Sequence, residues 1–166
     1  MTEETPIDPA AASQQDPASL QILTQYLRDL SFENPNAPAS LQTNEEAPRI
    51  SVNANVNVRQ LGEREYEVGL QFRVETKTGE QVNFIVELVY CGLFRTVNIP
   101  EESLRPVLLI EAPRQLFPFA RRILADATRD GGFPPLLLDP INFVELYQQN
   151  MAEQQAGASD AADKAN

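Results

Sequence analysis

Three long stretches in the middle of the chain carry an apolar side chain at every second position. In the first, which runs from Ile50 to Val58, every second side chain is apolar. The alternation returns from Tyr66 to Val74 and again from Val82 to Tyr90. A period of two places the apolar side chains on one face of a strand. Short polar segments at 61–64 and 77–80 suit tight turns, so the pattern predicts an antiparallel meander of three strands.

The third stretch differs from the other two on its polar face. Ile85 and Val89 lie there beside Asn83 and Glu87. An apolar residue on a solvent-facing side favours a partner surface, although a scattered exposed isoleucine is equally compatible with the pattern. Gly92 follows and is expected to permit a bulge before Leu93 continues the strand.

Residues 20–33 fit two periods. One set of apolar side chains lies at helical spacing: Leu20, Leu23, Leu27 and Leu30. Another set lies mostly at the two-residue spacing of a strand: Leu20, Ile22, Tyr26, Leu30 and Phe32. The overlapping segment 30–38 contains Pro35 and Pro38. These prolines predict a stiff, extended connection, which carries one aromatic and one acidic side chain. Such a connection suits a loop that lines a groove, or an ordinary solvated loop.

Helical patterns replace the alternation after Pro100. A short helix is predicted to reach Ala112 and to end at Pro113, because a proline disfavours helical geometry in the residue before it. A longer helix is predicted for 113–129, stopped by the glycines at 131 and 132, and a final helix for 140–151. Strands followed by helices indicate an α+β domain, and an open sheet with uncovered edges invites oligomerisation.

Composition separates this central region from both ends of the chain. Residues 1–18 and 152–166 offer few apolar side chains, so both are predicted to be disordered tails, the first of them acidic. The net charge is −11, which disfavours binding of nucleic acid or anionic lipid and favours basic partners. No basic segment followed by an apolar run marks a signal peptide, and no apolar run reaches the roughly 18 residues that span a bilayer.

The residue types that most hydrolytic and metal-dependent mechanisms need are scarce. The chain has no histidine, which excludes Ser-His-Asp and Cys-His catalysis and removes the commonest zinc ligand. Its single cysteine, Cys91, leaves no intrachain disulfide and fits a reducing compartment. We therefore expect neither an enzyme nor a metal or cofactor site.

Four segments resemble one known family in order and spacing. They are 30–38 (Leu-Ser-Phe-Glu-Asn-Pro-Asn-Ala-Pro), 116–121 (Leu-Phe-Pro-Phe-Ala-Arg), 132–136 (Gly-Phe-Pro-Pro-Leu) and 139–143 (Asp-Pro-Ile-Asn-Phe). Together with Glu87 and the following Gly-Leu-Phe, they resemble SecB, the bacterial export chaperones. The resemblance covers about residues 20–151, so the chaperone domain is predicted at 19–151.

The resemblance implies both a fold and a function. It makes residues 20–33 a strand, and hence predicts a four-stranded antiparallel sheet with C-terminal helices packed on one face. It implies a cytoplasmic homotetramer, a dimer of dimers, that works without ATP. Such a chaperone holds precursor proteins unfolded and delivers them to the SecA translocation motor.

The resemblance also implies two sets of site residues. Clients would bind in apolar grooves between the sheet, a helix and a crossover loop at 34–48, and the predicted contacts are Phe32, Leu41 and Phe84. SecA would bind an acidic patch, and the matching positions are Asp29, Glu33, Ile85 and Glu87. Phe84 alternates with the core side chains, so a plain core role is an equal alternative. A carrier of a small apolar ligand is the competing function, since a curved sheet with helices can hold a pocket.

Overall fold

The computed structural model describes residues 16–42 and 46–163, with side chains described as far as Glu153. A four-stranded sheet is followed by helices on one of its faces, which confirms the predicted α+β class. The elements are β1 (Ser19–Glu33), a 3-10 turn (Ala39–Leu41), β2 (Arg49–Gln60), β3 (Glu65–Thr78), β4 (Gln81–Val97), α1 (Glu101–Pro106), a π-helical turn (Val107–Glu111), α2 (Ala112–Asp130) and α3 (Phe143–Asp163).

All neighbouring strands are antiparallel, in the order β1-β4-β3-β2. The meander of β2, β3 and β4 is confirmed. Strand β1 pairs with β4 on the side away from β3. The register of β1 shifts between Ile22 and Thr24 and again between Leu27 and Asp29. Each shift inserts an additional residue into β1, as a β-bulge does. The bulges explain why the leucines of this strand have partly helical spacing.

The two faces of the sheet have different neighbours. Helix α2 packs across β3 and β4 on the face that we call the inner face. The opposite side, which carries the alternate side chains of each strand, is called the outer face. Side chains that are wholly or almost wholly buried on the inner face include Val68, Leu70, Val74, Val86, Leu88 and Phe94.

Gly92 allows α2 to approach β4 closely. The prediction of a β-bulge at this glycine is wrong. The register between β3 and β4 continues without interruption through Gly92. A Cβ atom at this position would lie 2.6 Å from the ring of Phe94 and 2.9 Å from Cδ2 of Leu116 on α2. Glycine is needed here because no side chain fits between the strand and the helix.

The helices differ from the prediction at two places, Pro113 and the C-terminal end of the last helix. Pro113 does not end a helix, because the π-helical turn at Val107–Glu111 joins α1 to α2 and Pro113 lies in the first turn of α2. The π-helical turn directly before Pro113 has i→i+5 hydrogen bonding, so the regular i→i+4 pattern that a proline interrupts is already broken there. Helix α3 extends beyond 151 to Asp163, so its backbone is helical where a tail without fixed structure is predicted. Alanine, glutamine and glutamate are strong helix formers, and they are frequent in this segment.

The limits of the chaperone domain stay a prediction, and most of the predicted N-terminal tail lies outside the described residues. The connection after β1 is compact, whereas an extended one is predicted. Ser40 Oγ donates to Asn34 Oδ1 at 2.6 Å, and Asn36 Nδ2 donates to the carbonyl oxygen of Val82 at 2.8 Å. These asparagines turn the chain and attach it to the start of β4.

Candidate functional site

Three phenylalanines from distant parts of the chain form an aromatic cluster, defined as Phe32, Phe84 and Phe133. The rings of Phe32 and Phe84 stack with centroids 5.6 Å apart. Phe133, which follows α2, lies 4.9 Å from Phe84 and 6.3 Å from Phe32. The first two residues lie at the end of β1 and the beginning of β4, so strand pairing brings them together.

Two glycines at the end of α2 open room beside this cluster. A side chain at Gly131 would overlap the ring of Phe32. Gly132 has a φ of +89°, which favours glycine, and a Cβ atom there would lie 3.1 Å from Cδ2 of Leu41. The 3-10 turn therefore rests on the link that follows α2, and 47% of Leu41 remains exposed.

The structure brings together the three predicted client contacts, although not in equal exposure. Leu41 faces solvent, Phe32 is half-buried and Phe84 is only 4% exposed. Phe84 therefore supports the cluster from the core, which agrees with the core role left open for it. Phe133 was not among the predicted contacts. Its position directly after the two glycines was visible in the sequence, but its neighbours depend on the tertiary fold.

The four residues predicted to bind SecA lie on the outer face, and we call them the outer-face patch: Asp29, Glu33, Ile85 and Glu87. Glu33 pairs with Ile85 across β1 and β4, while Glu87 pairs with Ser31. Ser31 lies midway between Asp29 and Glu33, so Glu87 is a diagonal neighbour of both acids. The patch thus combines three carboxylates with one partly buried isoleucine.

One arginine, which the sequence analysis missed, adjoins this patch. Arg73 on β3 lies directly opposite Glu87 in the register and donates from Nη1 to its carboxylate. Both residues line a shallow hollow of about 300 Å³ that also reaches Asp29 and Val89. One of the three patch carboxylates therefore has a counterion within the chain.

A second charged group on the outer face is almost completely buried. Glu67 on β3 is 8% exposed. Tyr26 Oη donates to its carboxylate, as do Nη1 of Arg28 and Nη2 of Arg59, each of the latter at 3.2 Å. These donors come from β1 and β2, on opposite edges of the sheet. We call this group the Glu67 clamp; its partners lie up to 41 residues apart in the chain.

The protonation equilibria of the Glu67 clamp follow from its contacts. The hydrogen bond to the Glu67 carboxylate, together with burial and the negative charge, raises the pKa of Tyr26 to about 12. That hydrogen bond and the two arginines lower the pKa of Glu67, although burial acts in the opposite direction. Burial also raises the pKa of the Cys91 thiol, which is fully buried opposite Tyr26.

The described residues hold neither a candidate metal site nor a candidate membrane-spanning helix. Among the side chains described within 16–42 and 46–153, no group of three or more histidine, cysteine, aspartate or glutamate residues has an arrangement that could hold a metal ion. No helix in the same part of the chain is both long and apolar enough to cross a membrane.

Comparisons with known proteins agree with one another. The family model described as preprotein translocase subunit SecB matches residues 12–154. A protein-export protein SecB from a Bradyrhizobium species is 53% identical over 161 residues, which cover 97% of either chain. Another from Parvibaculum lavamentivorans is 56% identical over 147 residues, which cover 89% of this chain and 86% of the other.

A solved structure supports the fold. The SecB-like chaperone of Mycobacterium tuberculosis, determined in complex with an antitoxin peptide, superposes with a TM-score of 0.61. It is 17% identical, and the match covers 74% of this chain and 90% of that one. The sequence matches span nearly the whole sheet and helix region described above, and the chain belongs to the SecB family of protein-export proteins.

Proposed function

We propose that this protein is an ATP-independent export chaperone that holds precursor proteins unfolded in the cytoplasm and delivers them to SecA. The single observation that best supports client binding is the exposed Leu41 beside the half-buried ring of Phe32 in the aromatic cluster. Membership of the SecB family supports the export role.

An apolar surface of this kind suits unfolded clients because burial of apolar area contributes roughly 25 cal/mol per Å² whatever the sequence. A folded protein has already buried its apolar side chains and offers little to such a surface. An unfolded precursor exposes them along its whole length. Client selection then needs no sequence motif.

Assembly into a homotetramer is part of the proposal. On the inner face, the central strands are covered by α2, but both edge strands keep exposed apolar side chains. These are Leu27 and Leu30 on β1 and Ile50, Val52 and Val58 on β2. Further copies of the chain would bury them. Light scattering coupled to size-exclusion chromatography should give four chains per particle, and a monomer would contradict this part.

The outer-face patch is proposed as the SecA-binding surface. Its three carboxylates around Ile85 suit a basic partner segment, and the contact should weaken with salt. Glu87→Lys should reduce the affinity for SecA while the tetramer stays intact. Glu63→Lys, in the exposed turn between β2 and β3, makes the same change in net charge away from the patch. Equal effects of the two substitutions would contradict the assignment.

The experiment that tests client binding is a refolding assay without ATP. A slow-folding precursor, unfolded in denaturant, is diluted into buffer with or without the protein. Arrested folding and a stable complex are expected. Unchanged refolding with no complex would contradict the chaperone function and favour a carrier of a small apolar ligand.

A matched pair of leucine variants tests where the client binds. Leu41 and Leu61 are 47% and 50% exposed, but Leu61 lies in the turn at the other end of the sheet. Leu41→Ser should weaken arrest of folding several-fold, because it removes apolar area beside the aromatic cluster. Leu61→Ser should leave arrest unchanged, and an equal loss in both variants would contradict the location.

A further inference from the structure

Arg73 holds the central carboxylate of the outer-face patch in an ion pair within the chain. It lies directly opposite Glu87 on the neighbouring strand, and its guanidinium contacts that carboxylate. The side chains of the two residues are 49% and 45% exposed, so the pair can open toward solvent. A basic partner that approaches Glu87 therefore meets an arginine that already occupies its site.

A second ion pair of the same kind provides an internal comparison. Arg95 on β4 lies directly opposite Glu65 on β3, also on the outer face, with Nη2 and Oε1 2.6 Å apart. Their side chains are 48% and 36% exposed. Arg95 lies eight residues beyond Glu87 along β4, about 26 Å away. This pair matches the first in chemistry but not in position.

We propose that Arg73 is a specificity-determining residue of the outer-face patch, an internal counterion that competes with a basic partner for Glu87. This inference rests on the proposed binding of SecA to that patch. Arg73 neutralises Glu87 and repels cations that approach the hollow both residues line. A partner must displace it, so a single cation gains little at Glu87. A segment with several cations also reaches Asp29 and Glu33, for which the described residues supply no ion pair.

The first test compares Arg73→Gln with Arg95→Gln in the full chain. Both substitutions remove one positive charge, so each changes the overall attraction for a basic partner equally. The dissociation constant for purified SecA is measured by calorimetry at low and at moderate salt. Arg73→Gln should bind roughly two- to fivefold more tightly than Arg95→Gln, with the larger ratio at low salt. Equal affinities, or weaker binding by Arg73→Gln, would overturn the proposal.

A double-mutant cycle separates competition for Glu87 from a general charge effect. Glu87→Gln is made in the wild-type chain and in the Arg73→Gln chain, and the loss of SecA affinity is compared. The loss should be larger without Arg73, because Glu87 is then unpaired and available to the partner. An equal loss in both backgrounds would overturn the proposal.

The outcomes also separate this inference from the proposed function. If the wild-type chain binds SecA and Glu87→Lys weakens that binding, the patch assignment stands even where Arg73→Gln and Arg95→Gln behave alike. If the wild-type chain does not bind SecA at all, both the assignment and the role of Arg73 are wrong. Thermal unfolding of each glutamine variant serves as the control for folding.

Discussion

The two faces of β3 and β4 differ sharply although they share the same backbone. On the inner face, Val74 is fully buried under the helical layer, whereas its neighbour Arg73 is half-exposed on the outer face. The apolar contacts on the inner face stabilise the fold, and they do not depend on a binding partner. The charged side chains on the outer face interact favourably or unfavourably according to the charge of the group that approaches them. Charged positions on the outer face can therefore be substituted without removing apolar contacts on the inner face.

The Glu67 clamp is the exception that limits this contrast. Glu67 lies on the outer face, yet it is buried as deeply as many residues of the core. It can be buried because three donors satisfy its carboxylate, and these donors come from both edges of the sheet. One part of the outer face therefore contributes to stability, as the inner face does.

The largest effect is expected from the inner face. Phe94 is fully buried, and Phe94→Ala should lower the free energy of unfolding by about 3–5 kcal/mol through lost burial and a cavity. Leu93→Ala is the matched control, because this half-buried residue directly precedes Phe94 in β4 and lies on the outer face. Urea unfolding at fixed protein concentration measures both. A similar loss for the two variants would contradict the contrast between the faces.

A smaller effect is expected from the Glu67 clamp. Glu67→Gln should lower the free energy of unfolding by about 1–3 kcal/mol, because it removes a charge that accepts three hydrogen bonds. Glu65→Gln, two residues away on the same face, removes only a half-exposed ion pair and should change it by less than about 1 kcal/mol.

Acid should reduce the difference between wild type and Glu67→Gln. The pKa of Glu67 is lowered in the fold, so its contribution is complete above the unfolded-state pKa and is lost as the pH falls through the folded-state value. Urea unfolding repeated at decreasing pH checks this. A difference that is constant or grows toward acid would contradict the description of the clamp.

The smallest effect concerns Tyr26, whose side chain is partly exposed. Its pKa is raised from 10.0 to about 12, so its contribution to stability is complete below pH 10 and is lost as the pH rises toward 12. The stability difference between wild type and Tyr26→Phe should therefore shrink above pH 10. The tyrosinate absorbance that Tyr26→Phe removes should appear only near pH 12, and its appearance near pH 10 would contradict the hydrogen bond to Glu67.

The candidate sites were only partly accessible to prediction. The resemblance to SecB indicated Phe32, Leu41 and Phe84, and the structure brings them together with Phe133. It also indicated Asp29, Glu33, Ile85 and Glu87, which share the outer face. Neither Arg73 nor Glu67 could be recognised, because their partners are set by the register between strands rather than by spacing along the chain. The proposed roles in binding stay predictions.

The amino-acid sequence by itself determined the meander, since alternation with a period of two is a local property of each strand. It also determined that α2 ends at the two glycines, because the positive φ of Gly132 is a local backbone property that favours glycine. Only the tertiary structure decided that residues 19–33 form a strand. Its two bulges form against β4, and they interrupt the period of two in the apolar positions. It likewise decided the course of the helix through Pro113 and the pairing of charges on the outer face. Those features depend on which distant residues are brought together, and packing alone specifies that.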